Sequence, residues 1–338
     1  MAYTTIDDPS AYFKVQLYTG DGNASKAITF NDTDTNMQPD FVWIKRRDDA
    51  DSNFVYDSVR FDGSNAYWLQ TNNTNAQGSD RPLTAFGSDG FTIGSNNSAL
   101  NGNTNTYVAW NWKEDATAGF DIVSYTGNAT ARTISHSLSA VPHWMIVKPR
   151  ESSSEGWSVY HHKIASDPET DVIRLDETNA AFDNSGYWND TAPTSSVFSV
   201  GSDSATNHNG GGIIAYLWSE KKGFSKFGSY TGNGNADGIF VYTGFKPAWL
   251  LYRRSDDSTG RNWQIYDNKR STFNELNKRL RADTNDAETT STGIDFTSNG
   301  FKLRTSDGNY NASGAKYIYM TFAESPFVNS NGIPTNAR

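Results

Sequence analysis

Apolar and polar positions alternate along much of this chain with the period of two that a half-buried strand requires. In Phe13-Lys14-Val15-Gln16-Leu17 one face is apolar and the other polar. Three runs break the alternation: Phe41-Val42-Trp43-Ile44, Trp144-Met145-Ile146-Val147 and Trp249-Leu250-Leu251-Tyr252 are apolar on both faces and read as central strands. Thr-Gly, Asp-Gly and Asn-Gly turn signals separate the strands roughly every 10 to 15 residues, a density that suits a two-sheet antiparallel sandwich. Helix is scarce. Ser271–Leu280 is the best candidate, with Thr272 and Glu275 spaced as a capping box, and a loop with one helical turn is the alternative.

The pattern recurs at a step of about 105 residues. Tyr18-Thr19-Gly20 returns as Tyr125-Thr126-Gly127 and Tyr230-Thr231-Gly232. A proline followed by an apolar run ending in a base spans Pro39 to Lys45, Pro142 to Lys148 and Pro247 to Arg253. Phe54-Val55-Tyr56-Asp57 answers to Trp157-Ser158-Val159-Tyr160 and Trp263-Gln264-Ile265-Tyr266-Asp267, then Gly90-Phe91 to Val197-Phe198 and Gly300-Phe301. Tyr107-Val108-Ala109-Trp110, Ile213-Ile214-Ala215-Tyr216 and Tyr317-Ile318-Tyr319-Met320 close each unit. The expected fold is all-β: three tandem antiparallel β-sandwich units, jelly-roll or lectin-like, over 13–117, 118–223 and 224–327, each of seven or eight strands. Each unit is long enough to fold alone, and the short connectors predict end-to-end packing. Residues 1–12 and 328–338 lack an apolar period and read as a loose arm and tail unless a partner orders them. Copy one lacks one residue between Phe54 and Tyr56, which predicts a bulge or altered edge there.

Composition fits this picture. The 338 residues include 10 Trp, 17 Tyr and 19 Phe with only 20% charged residues, the balance of β-strands joined by polar turns. A net charge of −9, with no basic stripe longer than Lys45-Arg46-Arg47, argues against nucleic acid. No apolar run reaches 18 residues and Met1–Tyr12 is polar and acidic, so neither a membrane span nor a signal peptide is expected. Without cysteine, packing alone must stabilise the chain.

Taken together, the opening Met1–Tyr12, the repeated Tyr-Thr-Gly, Lys226-Phe227-Gly228-Ser229-Tyr230-Thr231-Gly232-Asn233-Gly234, Asn299-Gly300-Phe301-Lys302-Leu303-Arg304 and Phe322-Ala323-Glu324-Ser325-Pro326-Phe327 resemble structural proteins of tailed phages, marine and cyanobacterial ones especially, built from tandem β-rich domains. The resemblance spans essentially the whole chain and brings no catalytic residues with it. It implies a virion component, tail, fibre or surface decoration, made in the host cytoplasm. Its partners would be other capsid or tail proteins, and a homo-oligomer, by default a trimer. In copy two His161 stands where Asp57 and Asp267 stand in the others, and Val197 replaces the glycine of Gly90-Phe91.

Candidate chemistry is sparse. All five histidines (His136, His143, His161, His162, His208) lie in copy two, and adjacent His161 and His162 on a strand point to opposite faces, a poor chelate. Asp57, Asp62, Asp267, Asp283, Asp286 and Glu288 are the carboxylates from which a glycan-cleaving pair would be drawn. No cofactor is expected; Asp21-Gly22-Asn23, Asp237-Gly238 and Asp307-Gly308-Asn309 offer oxygens for calcium, although the same dipeptides are the usual hairpin turns. Trp43, Trp144, Trp157, Trp249 and Trp263 sit at repeat landmarks and read as core, and Trp110, Trp112 and Trp218 mostly so. Trp68, Tyr187, Trp188 and Asn189 lie in loops and are the candidate ligand contacts, suited to a host-surface glycan. The expected function is binding and assembly on a virion, with host adhesion as its reach. A virion-borne polysaccharide depolymerase and a purely architectural connector are the alternatives.

Overall fold

The computed structural model describes residues 2–30, 34–257 and 260–335; Met1 and residues 336–338, the extremities of the two expected arms, lie outside the described residues. Each copy contributes eight strands. Copy one holds β1 (Phe13–Thr19), β2 (Lys26–Thr29), β3 (Phe41–Arg46), β4 (Asn53–Asp57), β5 (Ala66–Gln70), β6 (Gly78–Gly87), β7 (Gly90–Ile93) and β8 (Thr106–Trp112). Copy two holds β9 (Phe120–Thr126), β10 (Arg132–Ser135), β11 (Trp144–Pro149), β12 (Ser158–His161), β13 (Asp171–Arg174), β14 (Phe182–Asp183), β15 (Val197–Val200) and β16 (Gly212–Trp218). Copy three holds β17 (Ser225–Thr231), β18 (Phe240–Tyr242), β19 (Phe245–Arg254), β20 (Gln264–Asp267), β21 (Leu276–Arg281), β22 (Thr289–Thr297), β23 (Gly300–Leu303) and β24 (Lys316–Pro326). Among the described residues three single-turn α-helices, α1 (Ser98–Asn101), α2 (Ser185–Trp188) and α3 (Ser204–Asn207), and two 3-10 turns, Pro9–Ala11 and Ser58–Arg60, accompany the strands.

The fold is all-β with antiparallel sheets. In copies one and three a single eight-stranded sheet runs β1-β8-β3-β4-β5-β6-β7-β2 and β17-β24-β19-β20-β21-β22-β23-β18. Its two edges are consecutive strands in the chain, so each sheet curls back toward closure. Copy two divides into a six-stranded sheet and the β10-β15 pair.

The strands that are apolar on both faces explain the packing of the whole molecule. Val42 and Ile44 of β3 enter a core belonging to copy one alone. Phe41 and Trp43 of the same strand point the other way, into a cluster shared with Trp110, Trp112, Trp144, Trp157, Trp218, Trp249 and Trp263. The division repeats in β11, where Met145 and Val147 face inward to copy two and Trp144 and Ile146 face the shared cluster, and in β19 with Leu250 and Tyr252 against Trp249 and Leu251. The expectation of self-contained units packed end to end is therefore corrected. Each copy has its own core, and one further aromatic core threads all three.

Other expectations change for equally local reasons. The β3–β4 ladder runs without a register shift from Phe41↔Asp57 to Lys45↔Asn53, so no bulge exists there. Counting back four residues from Asp57, His161 and Asp267 reaches Asn53, Trp157 and Trp263; Asn53, not Phe54, is the counterpart of the two tryptophans. Leu276–Arg281 is strand β21, with no helix over Ser271–Leu280, because its apolar Leu276 and Leu280 enter the cores. The opening segment is not loose: Thr4 and Ile6 are buried, Ile6 inside the shared cluster, and Asp7 accepts hydrogen bonds from the Ser330 backbone and hydroxyl.

The Tyr-Thr-Gly landmark is a corner lock. Tyr18, Tyr125 and Tyr230 each donate a hydroxyl proton to the carbonyl of Leu100, Thr206 or Tyr310. A fully buried Asn101, Asn207 or Asn311 accepts from the backbone of Asp21, Asn128 or Asn233 and donates back two residues further on. Glycine is required at positions 20, 127 and 232 because a Cβ would stand about 2.1 to 2.2 Å from a facing carbonyl oxygen.

Candidate functional site

The buried polar groups come first, since they include most of the residues that carry chemistry. Asp57 accepts from Arg60 Nε at 2.6 Å and, across the seam to copy two, from the Tyr216 hydroxyl at 2.6 Å. Asp267 repeats this with Arg270 Nε at 2.6 Å and Trp110 Nε1 of copy one at 3.0 Å. At the third seam Met320 stands where Tyr216 and Trp110 stand and offers no proton. There His161 replaces the aspartate and Ile164 the arginine, and the imidazole reaches the Tyr319 carbonyl of copy three at 3.4 Å. Burial holds His161 neutral, well below its usual pKa. The departure of copy two is a change of chemistry matched on both sides of one seam.

A second ring of contacts runs the other way round. Trp157 Nε1 donates to the Gln70 carbonyl of copy one at 2.7 Å, Trp263 Nε1 to Arg174 O of copy two at 2.9 Å, and Asn53 Nδ2 to Arg281 O of copy three at 3.0 Å. The base ending each Pro-apolar run follows the same circuit. Lys45 Nζ bonds Asn285 O, Lys148 Nζ bonds Thr74 O, and Arg253 bonds the carbonyls of Arg174, Glu177 and Asn179. Burial pushes Lys45 and Lys148 down to about 8 and Arg253 to about 10.

The candidate carboxylates are thus dispersed. Asp57 and Asp267 lie in separate seams; Asp283 accepts from the Trp263 backbone and Asn262; Glu288 pairs with Arg47 and Arg270; Asp62 caps its own turn through Ser64 and Asn65; Asp286 meets Arg281. The exception is Asp267 and Glu288, which share the buried Arg270 guanidinium, so both are enclosed and charge-paired. In the oxygen-rich turns Asp21 accepts from Asn23 and Asn101, Asp237 meets Lys302, and Asp307 accepts from Asn309. Among the described residues no cluster of His, Asp and Glu is arranged to hold a metal ion.

Of the expected contacts, Tyr187 and Trp188 are corrected. They lie on α2, 4% and 1% exposed, because this turn folds over the core of copy two and Trp188 Nε1 donates to Asp171 O. Trp68 is corrected too, since it lies within strand β5 and not in a loop; half-buried, held by Asp80 and covered by Arg81, it remains at the surface, as does Asn189, exposed at the C-cap with φ 54°, but the two are in different copies.

Alignment of the copies points elsewhere. On the edge strands the outward residues are Ala27 and Thr29 in copy one, Thr133 and Ser135 in copy two, and Phe240 and Tyr242 in copy three, the last two 46% and 53% exposed. These aromatics line a groove of about 520 Å³ between copies two and three, with His143, His162, Lys163 and Lys226 along it. Tyr3 extends the aromatic wall, its hydroxyl 3.2 Å from that of Tyr242 and donating to Gly244 O at 2.8 Å. The imidazoles lie 4.5 Å apart; His143 Nδ1 accepts from the Glu220 backbone, and His162 Nε2 donates to Phe227 O at 2.7 Å. Burial lowers both, His162 to about 4, so the pair is neutral at neutral pH.

Residues 8–326, all three copies and the shared core, match a single family, the domain of unknown function DUF7483. The chain belongs to the DUF7483 family. No curated protein matches it.

Proposed function

We propose that this DUF7483 chain is a non-catalytic binding and assembly protein, and that its setting is a phage virion, in a tail, fibre or surface-decoration role. The phage setting rests on the sequence resemblance. Each copy acts as a sandwich-like unit, jelly-roll or lectin-like in outline, with one layer turned to the common core. The binding role rests chiefly on one observation: at the edge-strand positions held by Ala27 and Thr29 in copy one and by Thr133 and Ser135 in copy two, copy three carries the exposed aromatics Phe240 and Tyr242. Residues demanded by the scaffold recur in all copies, whereas an exposed aromatic pair in one copy adds nothing to closure and costs solubility. Copy number on a particle would multiply weak contacts at such a groove through avidity, most simply in a symmetric homo-oligomer.

Mass spectrometry of gradient-purified particles tests the setting, and adsorption of labelled protein to host cells tests the binding. The reading predicts the chain in particles and saturable adsorption. Release of reducing sugar from host envelope glycans by purified protein, lost on replacing Asp57, Asp267 or Glu288, would favour a depolymerase instead.

A further inference from the structure

We infer that the groove between copies two and three binds an acidic polysaccharide, one bearing uronic-acid carboxylates, with Phe240 and Tyr242 as the stacking platform. The inference deepens the binding role proposed above and rests on it. A pyranose ring presents a patch of C–H groups on one face and hydroxyls around its rim, so it needs a flat exposed apolar face with polar groups beside it. Phe240 and Tyr242 supply the first. Ser229, exposed on the groove, and the neutral imidazoles of His143 and His162 supply the second. No rearrangement is needed to form the platform, because Phe240 rests on Gly300, where a Cβ would lie 3.0 Å from its ring, and Tyr242 is braced by Tyr3.

Charge decides for an acidic chain over a neutral one. The protein carries a net −9, yet the lining of this groove holds Lys163 and Lys226 against Glu220, with Lys222 beside the platform; nearby Asp237 is paired with Lys302. Glu220 answers Lys226 alone, at 3.2 Å; Lys163 is exposed, and Lys222 lies 4.4 Å over the Tyr3 ring beside the platform. Local positive charge on an acidic protein attracts a polyanion to this face and repels it from the rest.

The test is affinity electrophoresis of the full chain through gels cast with sodium alginate, with dextran as the neutral polymer. Alginate is expected to retard the protein and dextran to retard it far less. The variant F240T/Y242S carries the residues copy two uses at the same ladder positions, so the scaffold tolerates them. It should weaken alginate binding at least ten-fold with an unchanged unfolding midpoint, and Lys163→Glu should weaken it several-fold. Phe240→Tyr, which keeps a ring, should retain binding. No retardation by alginate, equal retardation of F240T/Y242S, or stronger retardation by dextran overturns the assignment. A chain found in particles that ignores alginate removes the groove and leaves the virion reading; a chain that binds alginate but is absent from particles does the reverse.

Discussion

At the scale of single residues, the seams show how one position takes two chemistries. Asp57→Ala leaves the Arg60 guanidinium, fully buried, without its counter-charge and the Tyr216 hydroxyl without its acceptor, which should cost about 3–5 kcal/mol in urea unfolding. The triple exchange Asp57→His, Arg60→Ile, Tyr216→Met installs the set already used where copy two meets copy three, and should cost less than Asp57→Ala alone. Equal or greater instability of the triple variant would refute the matched-chemistry account. Two carboxyls each contribute a pH dependence of definite sign, opposite to that of the buried neutral histidines His143, His161 and His162. Burial pushes Glu114 up to about 7 and Asp283 up to about 6, above the usual unfolded values of about 4. The folded state therefore holds protons that the unfolded state has released; the contribution of both groups is fully present below about pH 4 and is lost as pH rises through 6 and 7. The midpoint at pH 4.5 minus that at pH 7.5 should be smaller in Glu114→Gln and Asp283→Asn than in the parent, since each variant loses a contribution that favours the lower pH, and an unchanged difference would count against buried protonated carboxyls.

At the scale of elements, the opening segment behaves as a clasp. It carries Ile6 into the shared core and ties Asp7 to Ser330, so deleting residues 1–7 should lower stability by at least the burial of one isoleucine, about 1.5–3 kcal/mol, read from the urea midpoint. An unmoved midpoint would mean that the ring closes without it. The sequence hides this clasp because a single buried Ile among polar residues has no period. Strands are legible for the opposite reason: alternation is local, and it gives seven or eight per copy, where the structure has eight. The runs Phe41–Ile44, Trp144–Val147 and Trp249–Tyr252 announced two buried faces, but a strand does not record what covers its second face, so the common core stayed out of sight. Asn53 does not declare itself in the sequence as the counterpart of Trp157 and Trp263, because the position is defined by a donated hydrogen bond to the neighbouring copy and not by aromatic character. Tyr187-Trp188 reads as loop in the sequence, but Asn184 caps a single turn, Ser185–Trp188, that presses both rings inward. Phe240 and Tyr242 become conspicuous only beside Ala27, Thr29, Thr133 and Ser135, a comparison that needs the ladder register.

At the scale of the whole molecule, two contact circuits run around the three copies and close on themselves. Aspartate or histidine reaches from copy one to two, two to three and three to one; the indole or amide donor and the buried base reach from one to three, three to two and two to one. A linear row would leave the one-to-three seam unmade, whereas here Lys45, Asn53 and Arg47 of copy one meet Asn285, Arg281 and Glu288 of copy three. Removing any copy would expose to water the tryptophans that the remaining copies contribute to the shared core, and removing copy two would also strand the buried Arg253 guanidinium without its carbonyls, so no copy should be stable as a monomer by itself. The intact chain should accordingly unfold in one transition, with tryptophan fluorescence and far-ultraviolet circular dichroism coincident in urea. Cutting the connector before Phe224 should still permit assembly, because the seams, not the peptide link, hold the ring: residues 1–223 and 224–338 co-expressed should co-purify at equal stoichiometry. Residues 224–338 alone should aggregate or self-associate. A soluble, monomeric 224–338 with a cooperative transition matching one phase of the intact protein would show instead that the copies are independent, and the shared aromatic core would then be a contact between finished units and not a condition of their folding.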